Sequence, residues 1–300
     1  MKVKKNKIVL LLFVLFLNAV TLFPQNLNYE RKQDVVYGRK DGMALTMDVF
    51  SPEKPNGIGV VLLISGGWFS SHNAIDVDWV PSIETLVKRG ITVFAVVHSS
   101  MPEYKIPEIE QDIARAVRFI KYHAKDWNIS PARIGITGQS SGGHLSLMHA
   151  VNAAKADTSS KDPVDRESSA VGAVACFYPP TDFLYFGPDG ANVLSNPRFR
   201  KFLPAFVNDP NDIEALKKVA EEVSPVKYLT SSMVPVLIIA GSEDKLVPIQ
   251  QSKNFIEKLK SLNVPCELDI REGKDHGWPG IANDYNKIAD WYEKYLPANK

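Results

Sequence analysis

Apolar and polar positions along the chain group into blocks that predict strands and helices in alternation. An alternating pattern over Asp34 to Tyr37 and Leu45 to Phe50 predicts an opening antiparallel pair, in which Asp48 lies on a half-exposed edge strand. Continuous apolar runs are typical of strands covered on both faces. They occur at Ile58 to Ile64, Ile91 to Val97, Val171 to Phe177 and Val234 to Ala240, and shorter strands are predicted at Arg133 to Thr137 and Pro265 to Ile270.

Segments with helical spacing separate these strands. They are predicted over Trp79 to Arg89, Pro107 to Ala124, onward from Ser141, Gln250 to Leu262 and Ile281 to Leu296. Strands that alternate with helices form a mostly parallel sheet with helices on both faces. We therefore predict an α/β fold with an eight-stranded sheet. Residues 182–229 are rich in Pro, Asn, Phe and charge. They are predicted to form a small cap inserted over the sheet, with an ordinary surface excursion as the alternative.

Composition narrows the classes of partner. The chain has 300 residues, 45% of them hydrophobic, which is enough for one large core over residues 26–300. A net charge of +1 gives no reason to expect a nucleic-acid partner or a general membrane-surface role. These features leave the oligomeric state open.

The first 25 residues have the pattern of a secretory signal peptide. Lysines at positions 2, 4, 5 and 7 precede an apolar run from Ile8 to Val20, and the run soon reaches Pro24. Cleavage is expected near residues 23–25, and the mature protein is expected to be periplasmic or extracellular. Membrane contact would then occur only through the signal peptide, whereas the alternative is an uncleaved anchor.

The two cysteines are predicted to be free. Cys176 and Cys266 lie in strands that a third strand should separate, and two strand spacings of roughly 9–10 Å exceed the reach of a disulfide. Both are predicted to be buried thiols. No Cys/His cluster has the spacing of a metal site, so the sequence implies neither a metal nor another cofactor.

The strongest chemical signal is the turn from Gly138 to Gly142, which matches G-x-S-x-G between a short strand and a helix. So sharp a turn raises the Ser140 hydroxyl above the sheet edge, at a helix N-terminus that favours developing negative charge. Ser140 is therefore predicted to be a nucleophile. The alternative is a Ser-Gly turn that only joins strand to helix.

A serine hydroxyl needs a base and a partner that orients the base. His276 follows the last strand, where such sheets build active sites, and is the predicted base. His98, at the end of an earlier strand, is a weaker alternative. The other four histidines are expected to be packed or solvated.

The orienting acid should follow the preceding strand. Asp244 lies there and is the predicted acid, so the chain order is Ser, Asp, His. Glu243 and Asp182 remain alternatives. Asp275 is interpreted as a solvated neighbour of the base.

An oxyanion site needs backbone N–H groups that can approach the substrate. Ser141 should supply one of them, and Gly66, Gly67 or Trp68, after the first buried strand, should supply the other. The side chains of Trp68 and Trp278 are also expected to line the substrate pocket.

Together these pieces resemble an α/β-hydrolase of the esterase/lipase type. The sequence is most similar to the hormone-sensitive-lipase-like and bifunctional feruloyl/acetyl-xylan esterases. The matching segments are Gly66 to Trp68, Asp112 to Ile120, Gly138 to Gly143, Gly241 to Pro248 and His276-Gly277.

Two segments depart from the pattern of that family. Its oxyanion loop usually begins with His, where this chain has Ser65. Its elbow usually reads Asp-Ser-Ala, where this chain has Gln139-Ser140-Ser141. Neither departure removes a predicted backbone donor or the nucleophile.

The ordered residues and the resemblance together imply a secreted serine carboxylesterase that forms an acyl-enzyme. Export and the resemblance favour acetyl or feruloyl esters of carbohydrates, either small molecules or polysaccharides, as substrates. Two other functions are kept open. One is a peptidase of the prolyl-oligopeptidase type, and the other is a non-catalytic binding protein on the same fold.

Overall fold

The computed structural model describes residues 29–187, 192–193 and 196–298. Eight strands form one sheet in the order β1-β2-β4-β3-β5-β6-β7-β8. β1 and β2 run antiparallel to their neighbours, and the other strands are parallel. The predicted α/β class and the eight-stranded, mostly parallel sheet are confirmed. The strands are β1 (Tyr29–Lys40), β2 (Met43–Pro52), β3 (Gly59–Ile64), β4 (Thr92–Val97), β5 (Ile134–Thr137), β6 (Ala173–Phe177), β7 (Val236–Gly241) and β8 (Cys266–Arg271).

The helices follow the predicted positions within a few residues, except for the first. They are α1 (His72–Ala74), α2 (Val80–Val87), α3 (Ile106–Tyr122), α4 (Ser141–Val151), α5 (Ile213–Glu222), α6 (Gln250–Ser261) and α7 (Tyr285–Tyr295). A π-helical turn, Ile75–Trp79, joins α1 to α2 and was not predicted. Pro81 has no N–H for an ordinary helical bond, and the Val80 N–H bonds five residues back to Ile75.

The middle strands are buried, and helices pack directly on them. α4 contacts β3 and β6, and α7 contacts β6. Gly135 on β5 shows how close one helix comes, because a Cβ there would lie 2.3 Å from the Tyr292 ring of α7. The Tyr292 hydroxyl donates to the Ile136 carbonyl at 2.7 Å, so this buried phenol has a partner.

Asp48 was expected on a half-exposed strand, and that expectation is wrong. β2 lies between β1 and β4, and Asp48 is fully buried. Arg31 donates to its Oδ2 through Nε at 2.8 Å and through Nη2 at 2.6 Å, while the Asp34 N–H donates to Oδ1. A buried carboxylate is tolerated when it is paired in this way.

Both cysteines are free, as predicted. Cys176 lies on β6 and Cys266 on β8, with β7 between them. The prediction that both are buried is wrong for Cys266, which is partly exposed because β8 is an edge strand of the sheet.

Residues 182–229, the predicted cap, lie between β6 and β7. Their described part holds α5 and short 3-10 turns at Arg200–Ala205 and Pro225–Tyr228. The insertion is joined to the main core, because four of its aromatic side chains are at most 2% exposed and belong to the same hydrophobic cluster as the sheet: Phe183, Phe186, Phe199 and Phe206.

The signal peptide predicted over residues 1–25 lies outside the described residues. Within the residues that are described, no helix combines the length and the apolarity needed to span a bilayer.

Three histidines are fully enclosed by the fold. Burial lowers the pKa of His98, His144 and His149 from 6.5 to about 4, because the charged imidazolium loses its hydration. His144 and His149 each contact a backbone carbonyl through Nε2, as neutral donors.

These histidines predict a loss of stability on mild acidification. Between about pH 6.5 and pH 4 the unfolded chain binds protons at positions where the folded chain does not. The free energy of unfolding should therefore fall as the pH falls, by at most about 1.4 kcal/mol per pH unit for each histidine. Urea unfolding at pH 7.5, 6.5, 5.5 and 5.0 measures this slope.

A variant that removes one of the buried rings tests the cause. His149→Gln should have a shallower slope than the wild type, because one buried imidazole no longer titrates between the folded and unfolded chains. An unfolding free energy that stays constant from pH 6.5 to 5.0 would contradict the prediction.

Candidate active site

A cleft of about 620 Å³ lies at the carboxyl edge of the parallel strands. This edge is the usual ligand site of open α/β sheets. Loops after five strands contribute to its lining, with Gly66 after β3, Gln139 after β5, Tyr178 after β6, Leu246 after β7 and His276 after β8.

Ser140 is held at the cleft in a strained conformation. Its φ of 54° and ψ of −116° are unusual for a residue other than glycine. The turn closes only because its neighbours are glycines: a Cβ on Gly138 would lie 2.5 Å from the Gly142 backbone, and one on Gly143 would lie 2.9 Å from the Phe177 carbonyl. The Ser140 N–H donates to that same carbonyl at 3.0 Å, which ties the turn to β6.

The structure brings Ser140, His276 and Asp244 into one hydrogen-bonded chain. Ser140 Oγ lies 2.8 Å from His276 Nε2, and His276 Nδ1 lies 2.7 Å from Asp244 Oδ2. A carboxylate only accepts, so Nδ1 carries the proton and Nε2 is free to accept from the serine. The other oxygen, Asp244 Oδ1, accepts from the N–H groups of Leu246 and Val247 at 2.9 and 2.8 Å.

The alternative base and acids lie elsewhere. His98 is 3% exposed, with Nδ1 2.6 Å from the Ser99 carbonyl, and it is absent from the cleft lining. Glu243 is exposed. Asp182 accepts from two backbone N–H groups of the insertion, where it serves as a local turn cap.

The predicted oxyanion loop is a tight two-residue turn. Gly66 and Phe69 exchange backbone hydrogen bonds at 2.9 and 3.2 Å, and both central residues, Gly67 and Trp68, have φ near 61°. The Gly66 N–H is therefore already used. Within residues 29–187, 192–193 and 196–298, no backbone carbonyl accepts a hydrogen bond from the N–H of Gly67 or of Trp68. A Cβ on Gly67 would lie 2.3 Å from the Phe202 ring, so this position requires glycine.

Ser65 and Ser141, which stand where the resembling family usually has His and Ala, bond to each other. Their hydroxyl oxygens lie 3.0 Å apart and are buried. The bond joins the start of the oxyanion turn to the first turn of α4. The two departures from the family pattern are thus coupled.

Gln139, which stands where that family usually has Asp, bonds to an aromatic residue beside the predicted base. Its Oε1 accepts from the Tyr178 hydroxyl at 2.7 Å, and its Nε2 donates to the Tyr285 hydroxyl at 3.2 Å. The Tyr178 ring lies against the His276 ring, with 4.5 Å between centroids. Burial raises the pKa of the Tyr178 hydroxyl well above its usual value, so this hydroxyl acts as a neutral donor.

The prediction that Trp68 lines the pocket is contradicted. Its side chain is 1% exposed, and its Nε1 donates to His144 Nδ1 at 3.1 Å. His144 Nε2 in turn donates to the Val223 carbonyl of the insertion at 2.7 Å. The left-handed turn directs the ring into an aromatic cluster rather than into the cleft, and its neighbours there are Phe183, Phe199, Phe202 and Phe206.

Trp278 also lies outside the cleft lining. Its Nε1 donates to Asp284 Oδ2 at 2.7 Å, and its ring packs on Phe177 and Tyr178. This second pocket prediction is wrong because the ring braces the loop that carries His276 from behind.

Other aromatic residues provide the cleft wall. They are Phe69, Trp79, Tyr178 and Phe202. Trp79 and the lining carboxylate Asp78 sit on the π-helical turn, and Phe202 comes from the insertion. Phe69 and Tyr178 follow strands β3 and β6 and are possible pocket residues from the sequence, whereas Asp78, Trp79 and Phe202 were not predicted, because only the packing of distant segments brings them to the cleft.

One group of possible metal ligands lies outside the cleft. Asp34, Asp48 and His72 bring three ligand atoms within 4.8 Å of one another. Arg31 already neutralises Asp48, however, and His72 Nε2 lies 2.6 Å from Thr46 Oγ1. We assign no metal site there.

Comparisons with known proteins identify esterases among the relatives of this chain. The chain is 25% identical over 257 residues to a probable isoprenylcysteine alpha-carbonyl methylesterase of Arabidopsis thaliana, a match that covers 82% of this chain and 50% of that protein. It is 24% identical over 307 residues to an acetylxylan esterase of Xylanibacter ruminicola, covering 95% and 55% of the two chains. This protein thus spans about half the length of these relatives.

A solved structure shares the fold. It is a truncated form of a carbohydrate esterase from gut microbiota, which superposes with a TM-score of 0.75 at 24% identity over 92% of this chain and 99% of that one. This likeness establishes the α/β-hydrolase fold.

The family itself follows from a match to a family model. The BD-FAE model matches residues 47–259. That range contains Ser140 and Asp244, whereas His276 lies beyond it. Because the match covers well over half of the chain, this protein belongs to the BD-FAE family.

Proposed function

We propose that this protein is a serine carboxylesterase that acts through an acyl-enzyme on Ser140. The observation that carries the proposal is the continuous hydrogen-bonded chain from Ser140 through His276 to Asp244. Membership of the BD-FAE family and the names of the relatives support it.

The chain of bonds accounts for activation of the serine. Ser140 Oγ attacks the ester carbonyl carbon, and His276 Nε2 takes the hydroxyl proton. Asp244 holds the opposite side of the ring and stabilises the imidazolium. His276 then returns the proton to the leaving alcohol, and a water molecule activated by the same base releases the acyl group.

Backbone donors account for stabilisation of the oxyanion. Ser141 lies in the first turn of α4, where N–H groups have no intrahelical partner. Gly67 and Trp68 supply the second donor, since the Gly66 N–H is held by Phe69. Loss of one such donor typically lowers the rate by about 10²–10³.

We propose carbohydrate-linked acetyl or feruloyl esters as the substrates. The acetylxylan esterase and carbohydrate esterase relatives support this class. Within the cleft, Phe69 is 53% exposed and offers an open aromatic face. The leader predicted over residues 1–25 adds the proposal that the enzyme is exported to the periplasm or beyond.

Removal of the nucleophile tests the reaction class. Ser140→Ala should fold normally and lose at least about a thousandfold in kcat, because no other group can form the acyl-enzyme. Hydrolysis of 4-nitrophenyl acetate measures the rate, and a fluorophosphonate probe should label only the wild type. Near-full activity in the variant would remove Ser140 from the mechanism, and a wild type that stays unlabelled would indicate a non-catalytic binding protein.

A substrate panel tests the ester class. Acetylated xylo-oligosaccharides and methyl ferulate should be cleaved with a higher kcat/KM than long-chain 4-nitrophenyl esters, while a prolyl peptide amide should not be cleaved. Acetate and ferulate release by chromatography measures the rates. Faster cleavage of the peptide amide would favour a peptidase, and a preference for long acyl chains would contradict carbohydrate esters.

Trp68→Phe tests the support of the oxyanion turn. His144 Nδ1 would lose its buried donor, which should lower the free energy of unfolding by about 1–3 kcal/mol. Misalignment of the turn should also lower kcat about tenfold while KM changes little. Urea unfolding and ester kinetics measure the two effects.

Trp291→Phe is the matched control, since Trp291 is a buried tryptophan on α7 away from the cleft lining. It should lose stability without loss of kcat. Equal kcat in Trp68→Phe and wild type would show that the turn does not depend on this ring.

A further inference from the structure

The sequence indicates a solvated neighbour of the base at Asp275, and in the structure its carboxylate also makes specific contacts to two loops, its own and that of Lys245. Oδ1 accepts from the backbone N–H of His276 at 2.8 Å and from the backbone N–H of Lys245 at 2.9 Å. Oδ2 lies 3.5 Å from Lys245 Nζ. One exposed carboxylate thus joins two loops that are distant in sequence.

The two N–H groups that donate to Asp275 belong to residues at or next to the proposed acid and base. Lys245 directly follows the acid Asp244, and His276 is itself the base. A single oxygen therefore fixes the backbone of both loops within one residue of the His276–Asp244 hydrogen bond. The bonds from Lys245 and His276 also hold the pKa of the Asp275 carboxyl below its usual value, so the acceptor is ionised at neutral pH.

The backbones of the two loops lie in close contact near Asp275. A Cβ on Gly241 would lie 2.2 Å from the Lys274 carbonyl oxygen and 2.7 Å from that of Asp275. The Glu243 N–H donates to the same Lys274 carbonyl at 2.9 Å. Glycine at 241 lets the loops touch, and Asp275 bonds them together at the rim.

We propose that Asp275 is a positioning residue for the esterase reaction, clamping the loop of the base to the loop of the acid. This inference rests on the proposed function. The clamp sets the imidazole so that one nitrogen meets Asp244 while the other meets Ser140. Displacement of a catalytic group by about 1 Å can cost about 10²-fold in rate, so a small shift of this loop is sufficient.

The ion pair with Lys245 is not the essential part. Exposed ion pairs contribute little, and Lys245 Nζ is 3.5 Å away on a largely exposed side chain. The bond from the backbone N–H of residue 245 is available to any residue there except proline. This separation allows the two contributions to be tested apart.

Three variants test the clamp. Asp275→Ala removes the acceptor and should lower kcat about tenfold or more with little change in KM. Asp275→Asn keeps an acceptor oxygen for both N–H groups and should retain at least about half of the wild-type kcat. Lys245→Ala keeps its backbone N–H and should resemble the wild type. Thermal unfolding of each variant checks that the fold is intact.

The inference fails if Asp275→Ala keeps wild-type kcat, or if Asp275→Asn is as impaired as Asp275→Ala. It also fails if Lys245→Ala alone reproduces the loss, because the ion pair would then be the cause. Impaired Asp275→Ala with rescue by Asp275→Asn supports it.

A spectroscopic readout separates this inference from the proposed function. The proton on His276 Nδ1 should give a low-field NMR resonance in the wild type, assigned by its absence in His276→Gln. The resonance should broaden or shift in Asp275→Ala and persist in Asp275→Asn. If the wild type cleaves no ester and Ser140 is unlabelled, the proposed function fails, while an unchanged resonance in Asp275→Ala overturns the clamp.

Discussion

The site depends on one steric constraint, the turn in which β5 passes into α4 within a few residues. Ser140 can adopt its left-handed φ there only because Gly138 and Gly143 leave room for the Gly142 backbone and the Phe177 carbonyl. That conformation raises the hydroxyl into the cleft and starts α4 at Ser141. The same turn thus positions both the proposed nucleophile and one proposed oxyanion donor, and the backbone of Ser140 is strained at this position.

The turn at Gly67 and Trp68, proposed to supply the other oxyanion donor, is held by buried hydrogen bonds. The Trp68 ring bonds to His144 on α4, and His144 bonds to Val223 in the insertion. A neutral imidazole suits this position, because it must accept at Nδ1 and donate at Nε2. The insertion therefore packs against the turn proposed to supply an oxyanion donor, and its Phe202 contacts Trp68 and lines the cleft.

Family membership and local chemistry complement each other here. The matched range ends at residue 259, before the loop that carries His276. His276, the proposed base, lies beyond that range, and its place beside Ser140 and Asp244 is seen only in the hydrogen-bond geometry. The positions that depart from the family pattern are also explained by contacts, since Ser65 bonds to Ser141 and Gln139 bonds to two tyrosines.

The sequence by itself determined the alternation of strands and helices, the parallel sheet, and the loops on which Ser140, Asp244 and His276 lie. These follow from hydrophobic period, turn chemistry and chain order, which are local properties. Only the tertiary structure decided the burial and the hydrogen-bond partners of Asp48, Trp68, Trp278 and Asp275. The environment of each side chain depends on partners that the fold brings to it. Asp48 bonds to Arg31, and Trp68 bonds to His144 within the phenylalanine cluster. Trp278 bonds to Asp284 and packs on Tyr178, while Asp275 accepts from the Lys245 N–H. A linear pattern records what a residue is, whereas burial and hydrogen bonding depend on what the fold places beside it.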